Sequence, residues 1–179
     1  PAAGLGPPSP PATKAQPKEM LPLVDKPIIQ YGIEEAAAAG IEDIVIVTGR
    51  GKNAIEDHFD VSVELETFLE ARGKQDQAAE IRSISRSLAY VRQGEPLGLG
   101  HAVLTARPLV GDNAFAVILA DDVIDATPGA LAQMIEVFNE VDGPVLLVER
   151  VPREQISGYG VIAYEPVREG VYRVTHLVQ

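Results

Sequence analysis

The chain has 179 residues, 46 % of them hydrophobic and 23 % charged, the size and make-up of a globular domain with a core of its own. Its 15 basic and 26 acidic residues leave a net charge of −11, which argues against sequence-independent binding to DNA or RNA and against an anionic membrane surface. Cys is absent, so disulfides, thiolate zinc sites and Cys nucleophiles are excluded, and none of the three His pairs at the i, i+4 spacing of a metal-binding helix.

Gly and Pro crowd the start, from Gly4-Leu5-Gly6 through Pro7, Pro8, Pro10 and Pro11 to Pro17, Pro22 and Pro27, which predicts a long loop over 1–27. Asp25 is expected to cap a helix with Pro27 in its first turn; Ile28, Ile29, Ile33, Ala36 and Ala37 recur at helical spacing, and Gly40 ends it. The β-branched run Ile44-Val45-Ile46-Val47 predicts a strand over 41–48 covered on both faces. A short helix is expected over 52–59. One long helix follows over 61–87, with Leu65, Phe68, Leu69, Ala78, Ile81 and Ile84 as its apolar stripe.

A strand over 88–92 and a helix over 100–109 come next. Residues 115–120 read as a buried strand stopped by Asp121-Asp122. Thr127 is expected to cap a helix with Pro128 at its first position and Leu131, Met134, Ile135 and Phe138 on its inner face. A fourth strand is expected over 145–151, then strands over 159–165 and 171–178 joined near Glu169-Gly170. Strands alternating with helices predict a doubly wound α/β fold, with a mostly parallel (mixed) central sheet flanked by helices and a ligand site beyond the strands' carboxyl ends. No internal repeat is seen. The chain opens like a loop that follows a strand and stops in mid-strand, so it is expected to be a piece of a longer protein.

Several segments carry residues suited to phosphate chemistry. Gly4-Leu5-Gly6 lets backbone approach a phosphate, but position 9 is Ser within a proline cluster, so a dinucleotide fingerprint fails. Gly49-Arg50-Gly51-Lys52-Asn53 lacks the spacing and hydroxyl of a Walker A loop. Lys14 and Lys18 are either phosphate ligands or solvated loop lysines. Asp121-Asp122 is either a polar turn or a carboxylate site for Mg²⁺, with Asp125 and Glu165 as weak partners. Gln93, in Gln93-Gly94-Glu95-Pro96-Leu97-Gly98-Leu99-Gly100-His101, offers a donor and an acceptor to a pyrimidine edge, or simply sits in a flexible connection. His101 reads as a structural residue rather than a base. Gly160, in Ser157-Gly158-Tyr159-Gly160-Val161, is either a turn glycine or an opening for a sugar hydroxyl.

Taken in order, Pro1-Ala2-Ala3-Gly4-Leu5-Gly6, Pro11-Ala12-Thr13-Lys14, Pro17-Lys18-Glu19-Met20-Leu21-Pro22-Leu23-Val24-Asp25-Lys26-Pro27, Gln93 with Gly98-Leu99-Gly100-His101-Ala102-Val103, Ile118-Leu119-Ala120-Asp121-Asp122 and Tyr159-Gly160-Val161 resemble the bacterial UTP–glucose-1-phosphate uridylyltransferase family. The resemblance covers essentially the whole chain. It implies a Rossmann-like nucleotidyltransferase that makes UDP-glucose and pyrophosphate from UTP and glucose 1-phosphate with Mg²⁺. It implies that Ala3, Gly4, Gln93 and Gly98 hold the uridine, and that Lys18 holds and polarises phosphates as the catalytic residue. Asp121 would be a Mg²⁺ ligand, with Asp122 beside it near the sugar and Gly160 on the glucose. A cytoplasmic enzyme, often a homo-oligomer, with no nucleic-acid or membrane partner, is the corresponding expectation.

Two departures from the family's pattern stand out. Thr-Arg-Phe-Leu, which follows Gly-Leu-Gly in the family, is replaced here by Pro7-Pro8-Ser9-Pro10. An Arg that would clamp the triphosphate becomes Pro, and only Ser9 keeps a backbone donor. The family also continues past this point with a Glu-Lys-Pro segment and a later metal-binding Asp, whereas this sequence stops at Gln179. One nucleotidyltransferase domain over 1–179 is therefore expected, lacking its first strand and its C-terminal portion and inactive by itself. Two alternatives remain: a glucose-1-phosphate thymidylyltransferase, against which the Pro-Lys-Glu-Met run and the helical insertion over 61–87 speak, and a non-catalytic sugar-nucleotide-binding paralogue. A nicotinamide oxidoreductase fares worst, because prolines forbid the helix its fingerprint requires.

Overall fold

A computed structural model of the chain describes residues 1–4, 13, 14, 16–84 and 88–178. The expectations resting on Leu5, Gly6, Pro7-Pro8-Ser9-Pro10, Ser87 and Gln179 lie outside them. The chain divides into two compact units, Pro1–Asp125 and Ala126–Gln179.

The first unit begins against the sheet. Ala2 and Ala3 are buried, and the Ala2 amide donates to Val47 O at 2.7 Å. A Cβ on Gly49 would come within 3.2 Å of Ala3 O, so the absent side chain there is what admits this segment. Residues 16–27 of the proline-rich stretch form a 3₁₀ turn, Lys18–Met20, and a minimal antiparallel hairpin of β1 (Pro22–Leu23) and β2 (Lys26–Pro27). Asp25 lies in the hairpin's turn and does not cap the helix. Helix α1 (Ile28–Ala38) starts directly after Pro27, and its first amide, that of Ile28, is satisfied by Leu21 O at 3.0 Å. The Tyr31 hydroxyl donates to Leu23 O at 2.7 Å across this turn, with Asp25 Oδ1 3.4 Å away. Gly40 ends α1 as expected, at φ +84°, the left-handed conformation that favours Gly.

Strand β3 (Val45–Thr48) pairs in parallel with β4 (Ala89–Arg92) from Val45↔Ala89 to Thr48↔Arg92. Between them lie α2 (Asn53–Phe59), α3 (Val63–Ala71) and α4 (Gln75–Ile84). The single helix expected over 61–87 is thus two. Gly73 at φ +72° turns the chain, and Arg82 clamps the pair by reaching Glu66 and Glu70 at 2.8 and 2.9 Å. The expected stripe is only partly buried: Leu69 and Ala78 face inward, while Phe68 is half exposed beneath the Arg72 guanidinium. Ile29, Ile33, Ile46, Ile55, Phe59, Met20 and Ala2 form the main core. Ile55 and Phe59 are its fully buried members, each worth roughly 1.5–3 kcal/mol of transfer free energy. Beyond β4, α5 (Leu99–Thr105) and α6 (Arg107–Val110) replace the one helix expected over 100–109.

Residues 115–120 form no strand. Phe115 and Val117 are exposed, and only the end of the segment packs, with Ile118 against Gly32 and Ala120 against the main core. An apolar run becomes a strand only where a neighbouring backbone offers a ladder, and none of the described residues pairs with it.

The second unit holds α7 (Ala130–Val141) and a hairpin of β5 (Val161–Arg168) and β6 (Val171–Val178). Gly129, not Thr127, occupies the N-cap of α7, and Pro128 precedes the helix. Leu131 is buried as expected. The strand expected over 145–151 is absent: Leu146, Leu147 and Val148 are about half exposed and unpaired in any sheet. The hairpin turns at Gly170 (φ +74°), Tyr164 and Tyr172 meet edge-on, and Arg168 grips Glu140 of α7 at 2.7 and 3.0 Å. Among the described residues the mostly parallel sheet is thus one parallel pair, accompanied by two antiparallel ones, in a mixed α/β fold.

Candidate functional site

The carboxyl ends of β3 and β4 organise the site. The Gln93 amide follows β4 and donates to Thr48 O, the last carbonyl of β3, at 2.9 Å. Its side chain is buried, and Nε2 turns back onto its own loop, donating to Gly98 O at 3.2 Å and to His101 Nδ1 at 2.8 Å. His101 is accordingly an acceptor at Nδ1, a structural part within α5. The Gln93 group expected at a pyrimidine edge spends its donor on shaping the loop and keeps Oε1 as an acceptor. Gly98 adopts φ +94°, ψ 178°, a region essentially restricted to Gly, and it carries α5's first turn.

Ala3 and Gly4 lie beside these elements, Ala3 packed with Val47 of β3 and Ala102 of α5. The first unit therefore brings the start of the glycine loop, the end of β3 and the Gln93 loop together. Gly4 is exposed, and its carbonyl accepts from Lys52 Nζ at 3.3 Å.

Lys18 and Asp121 are brought together from 103 residues apart, Nζ to Oδ2 at 2.6 Å. Their side chains are 29 % and 55 % exposed, so both remain open to a ligand. The Lys18 ammonium holds the Asp121 carboxyl below its ordinary value, and Asp121 is ionised at neutral pH. Asp122 is exposed on the same turn, with its amide on Leu119 O at 3.2 Å. Gly160 belongs to the second unit. It is exposed, and a Cβ there would make an ordinary contact with Val178 O at 3.9 Å.

Two site residues were not foreseen. Glu19, next to Lys18, is 2 % exposed, and Lys52 Nζ meets its Oε2 at 2.6 Å. In the sequence Lys52 stands only in a segment that lacks Walker A spacing. The available signal is a charged residue three and seven positions before the apolar Ile55 and Phe59, which says nothing of a partner 33 residues away.

A divalent cation fits at Asp121 in a limited way. Among the described residues no group of three or more His, Asp or Glu converges on one point. Asp121 is nonetheless an ionised, half-exposed carboxylate, the hard oxygen Mg²⁺ takes singly or in pairs while phosphates and water fill the other positions.

Residues 2–179 match the family described as Nucleotidyl transferase. The chain is 51 % identical to UTP–glucose-1-phosphate uridylyltransferase YngB of Bacillus subtilis, over all of this chain and 61 % of that protein. It is 49 % identical to UTP–glucose-1-phosphate uridylyltransferase of Pseudomonas aeruginosa, over all of this chain and 66 % of that protein. The structure superposes on a UTP-bound UGPase from Acinetobacter baumannii with a TM-score of 0.91 and 42 % identity, covering 99 % of this chain and 65 % of that one. The chain thus spans about two-thirds of the length of the relatives it matches, and it belongs to the nucleotidyl transferase family.

Proposed function

We propose that the protein containing this chain transfers a uridylyl group from UTP to glucose 1-phosphate, giving UDP-glucose and pyrophosphate. The observation that carries the reading is the Lys18–Asp121 pair, a partly exposed cation and an exposed anion held 2.6 Å apart. The names of the relatives favour UTP over dTTP as the nucleotide.

The chemistry needs two mutually repelling anions placed in line. A phosphate oxygen of glucose 1-phosphate attacks the α-phosphorus of UTP; a new P–O bond forms there, and the bond to the β-phosphate oxygen breaks to release pyrophosphate. Lys18 neutralises charge growing on the α-phosphate and the leaving oxygens, and binding trades its bond to Asp121 for bonds to phosphate. Asp121, with Asp122 beside it, would hold Mg²⁺, which when bound supplies further neutralisation of the triphosphate. Ala3 and Gly4 backbone, Gln93 and Gly98 are assigned to the uridine, and Asp122 and Gly160 to the sugar. No residue acts as a nucleophile, and none is required.

Residues 1–179 are taken as one nucleotidyltransferase domain of a cytoplasmic enzyme, with neither nucleic acid nor membrane as a partner and self-association as a property to measure. No described helix is long and apolar enough to cross a membrane. The test is pyrophosphate release by the full-length protein with glucose 1-phosphate and Mg²⁺. UTP should support turnover at least about tenfold better than dTTP, and a preference for dTTP, or no turnover with nucleotide still bound, would replace the reading with one of its alternatives.

A further inference from the structure

We infer that Lys52 is the positioning residue for Lys18, acting through a buried ion pair with Glu19; this rests on the uridylyltransferase reading of the site. In a 3₁₀ turn successive side chains diverge by about 120°. The turn Lys18–Met20 therefore sends Lys18 outward to Asp121 and Glu19 inward, where its side chain is only 2 % exposed. There Lys52 Nζ meets Glu19 Oε2 at 2.6 Å and donates to Gly4 O at 3.3 Å. One ammonium thus joins the turn that carries Lys18 to the start of the glycine loop.

Lys52 is itself anchored. It precedes α2, its carbonyl accepts from the Ile55 amide at 3.0 Å, and α2 is pinned by the fully buried Ile55 and Phe59. Rigid core, α2, Lys52, Glu19 and Lys18 form one connected chain of contacts. The rest of the Lys18 turn is held by Met20 in the main core and by two short local bonds, Met20 N to Pro17 O and Leu21 N to Lys18 O at 3.0 and 3.1 Å. A buried ion pair adds little net stability over an apolar pair of similar volume, so what it contributes here is location. Lys18 must reach a phosphate oxygen within a few tenths of an ångström to act on the transition state. A displacement of about 1 Å by a remote change costs on the order of 100-fold.

The experiment replaces the pair together, Lys52→Met with Glu19→Met, in the full-length protein, so that no buried charge is stranded. The double variant is expected to melt within about 4 °C of the parent. Its kcat should fall about 10- to 100-fold with UTP affinity by calorimetry within about threefold. In a Lys18→Ala background the same pair should cost less than about twofold more, because the effect runs through Lys18. An unchanged kcat, or an equal loss without Lys18, overturns the inference. Should the double variant melt low, Lys52→Arg, which keeps the charge but alters the reach, is expected to lose about three- to tenfold in kcat, and parental kcat overturns the inference. A parent protein without transferase turnover would sink the functional reading alone. Positioning is then judged by hydrogen exchange of the Met20 and Leu21 amides, expected at least about tenfold faster in the double variant and overturned if unchanged.

Discussion

Asp121→Asn separates the site's chemistry from its stability. The substitution keeps size and removes charge, so it weakens the 2.6 Å bond from Lys18 without creating a cavity. The pair's side chains are 29 % and 55 % exposed, and exposed ion pairs are worth about 0–1 kcal/mol. Unfolding free energy should therefore fall by less than about 1 kcal/mol, within about 4 °C in melting temperature for a chain of this size. Because Lys18 lowers the carboxyl's pKa on folding, the small contribution is present above the unfolded carboxyl's pKa and is lost as pH falls through the folded value. Turnover should behave differently. Loss of the carboxylate that would hold Mg²⁺ against the triphosphate removes one electrostatic stabiliser of the transition state and is expected to cost about 100- to 1,000-fold in kcat, or about 2.7–4 kcal/mol. Thermal denaturation and pyrophosphate release on the same preparation check both halves. Turnover within about twofold of the parent, or a stability loss above about 3 kcal/mol, would refute the assignment of Asp121 to chemistry rather than structure.

Phe59→Ala empties a core position that is 1 % exposed and should cost about 3–5 kcal/mol by urea denaturation. Gly98→Ala meets no neighbour within 4 Å, so its effect is backbone strain at φ +94°, about 1–3 kcal/mol, with weaker UTP binding by calorimetry. His58 is pushed below its ordinary pKa by burial, and its Nε2 donates to Gln30 Oε1 at 2.9 Å. A lowered folded pKa means that its contribution is complete above the unfolded value near 6.5 and is lost as pH falls through the folded value; His58→Gln should flatten the acid side of the melting-temperature profile.

Local signals in the sequence located the elements whose causes are local. Gly40, Gly170 and the β-branched run before Thr48 each specify their structure within a few residues, and α1's body, β3 and the β5–β6 turn follow. Gly73 was equally visible, but the apolar stripe on either side of it suggested one helix where its left-handed conformation makes two. Asp25 resembled a cap because the hairpin that occupies it depends on Tyr31, six residues on. Residues 115–120 and 145–151 have strand composition, yet pairing is a property of neighbours that composition does not supply. The same division holds at the site. Lys18 and Asp121 were legible through resemblance to a family, while the Glu19–Lys52 pair beneath them depends on a contact between distant segments that no spacing reveals.

Attack of the sugar phosphate on the α-phosphorus of UTP is tested by labelled substrate. The full-length protein is incubated with glucose 1-phosphate, Mg²⁺ and UTP labelled at either the α- or the γ-phosphate. In-line attack puts α-label in UDP-glucose and γ-label in pyrophosphate, with none retained on protein. Label released as inorganic phosphate, trapped on the chain, or left in UTP would contradict it.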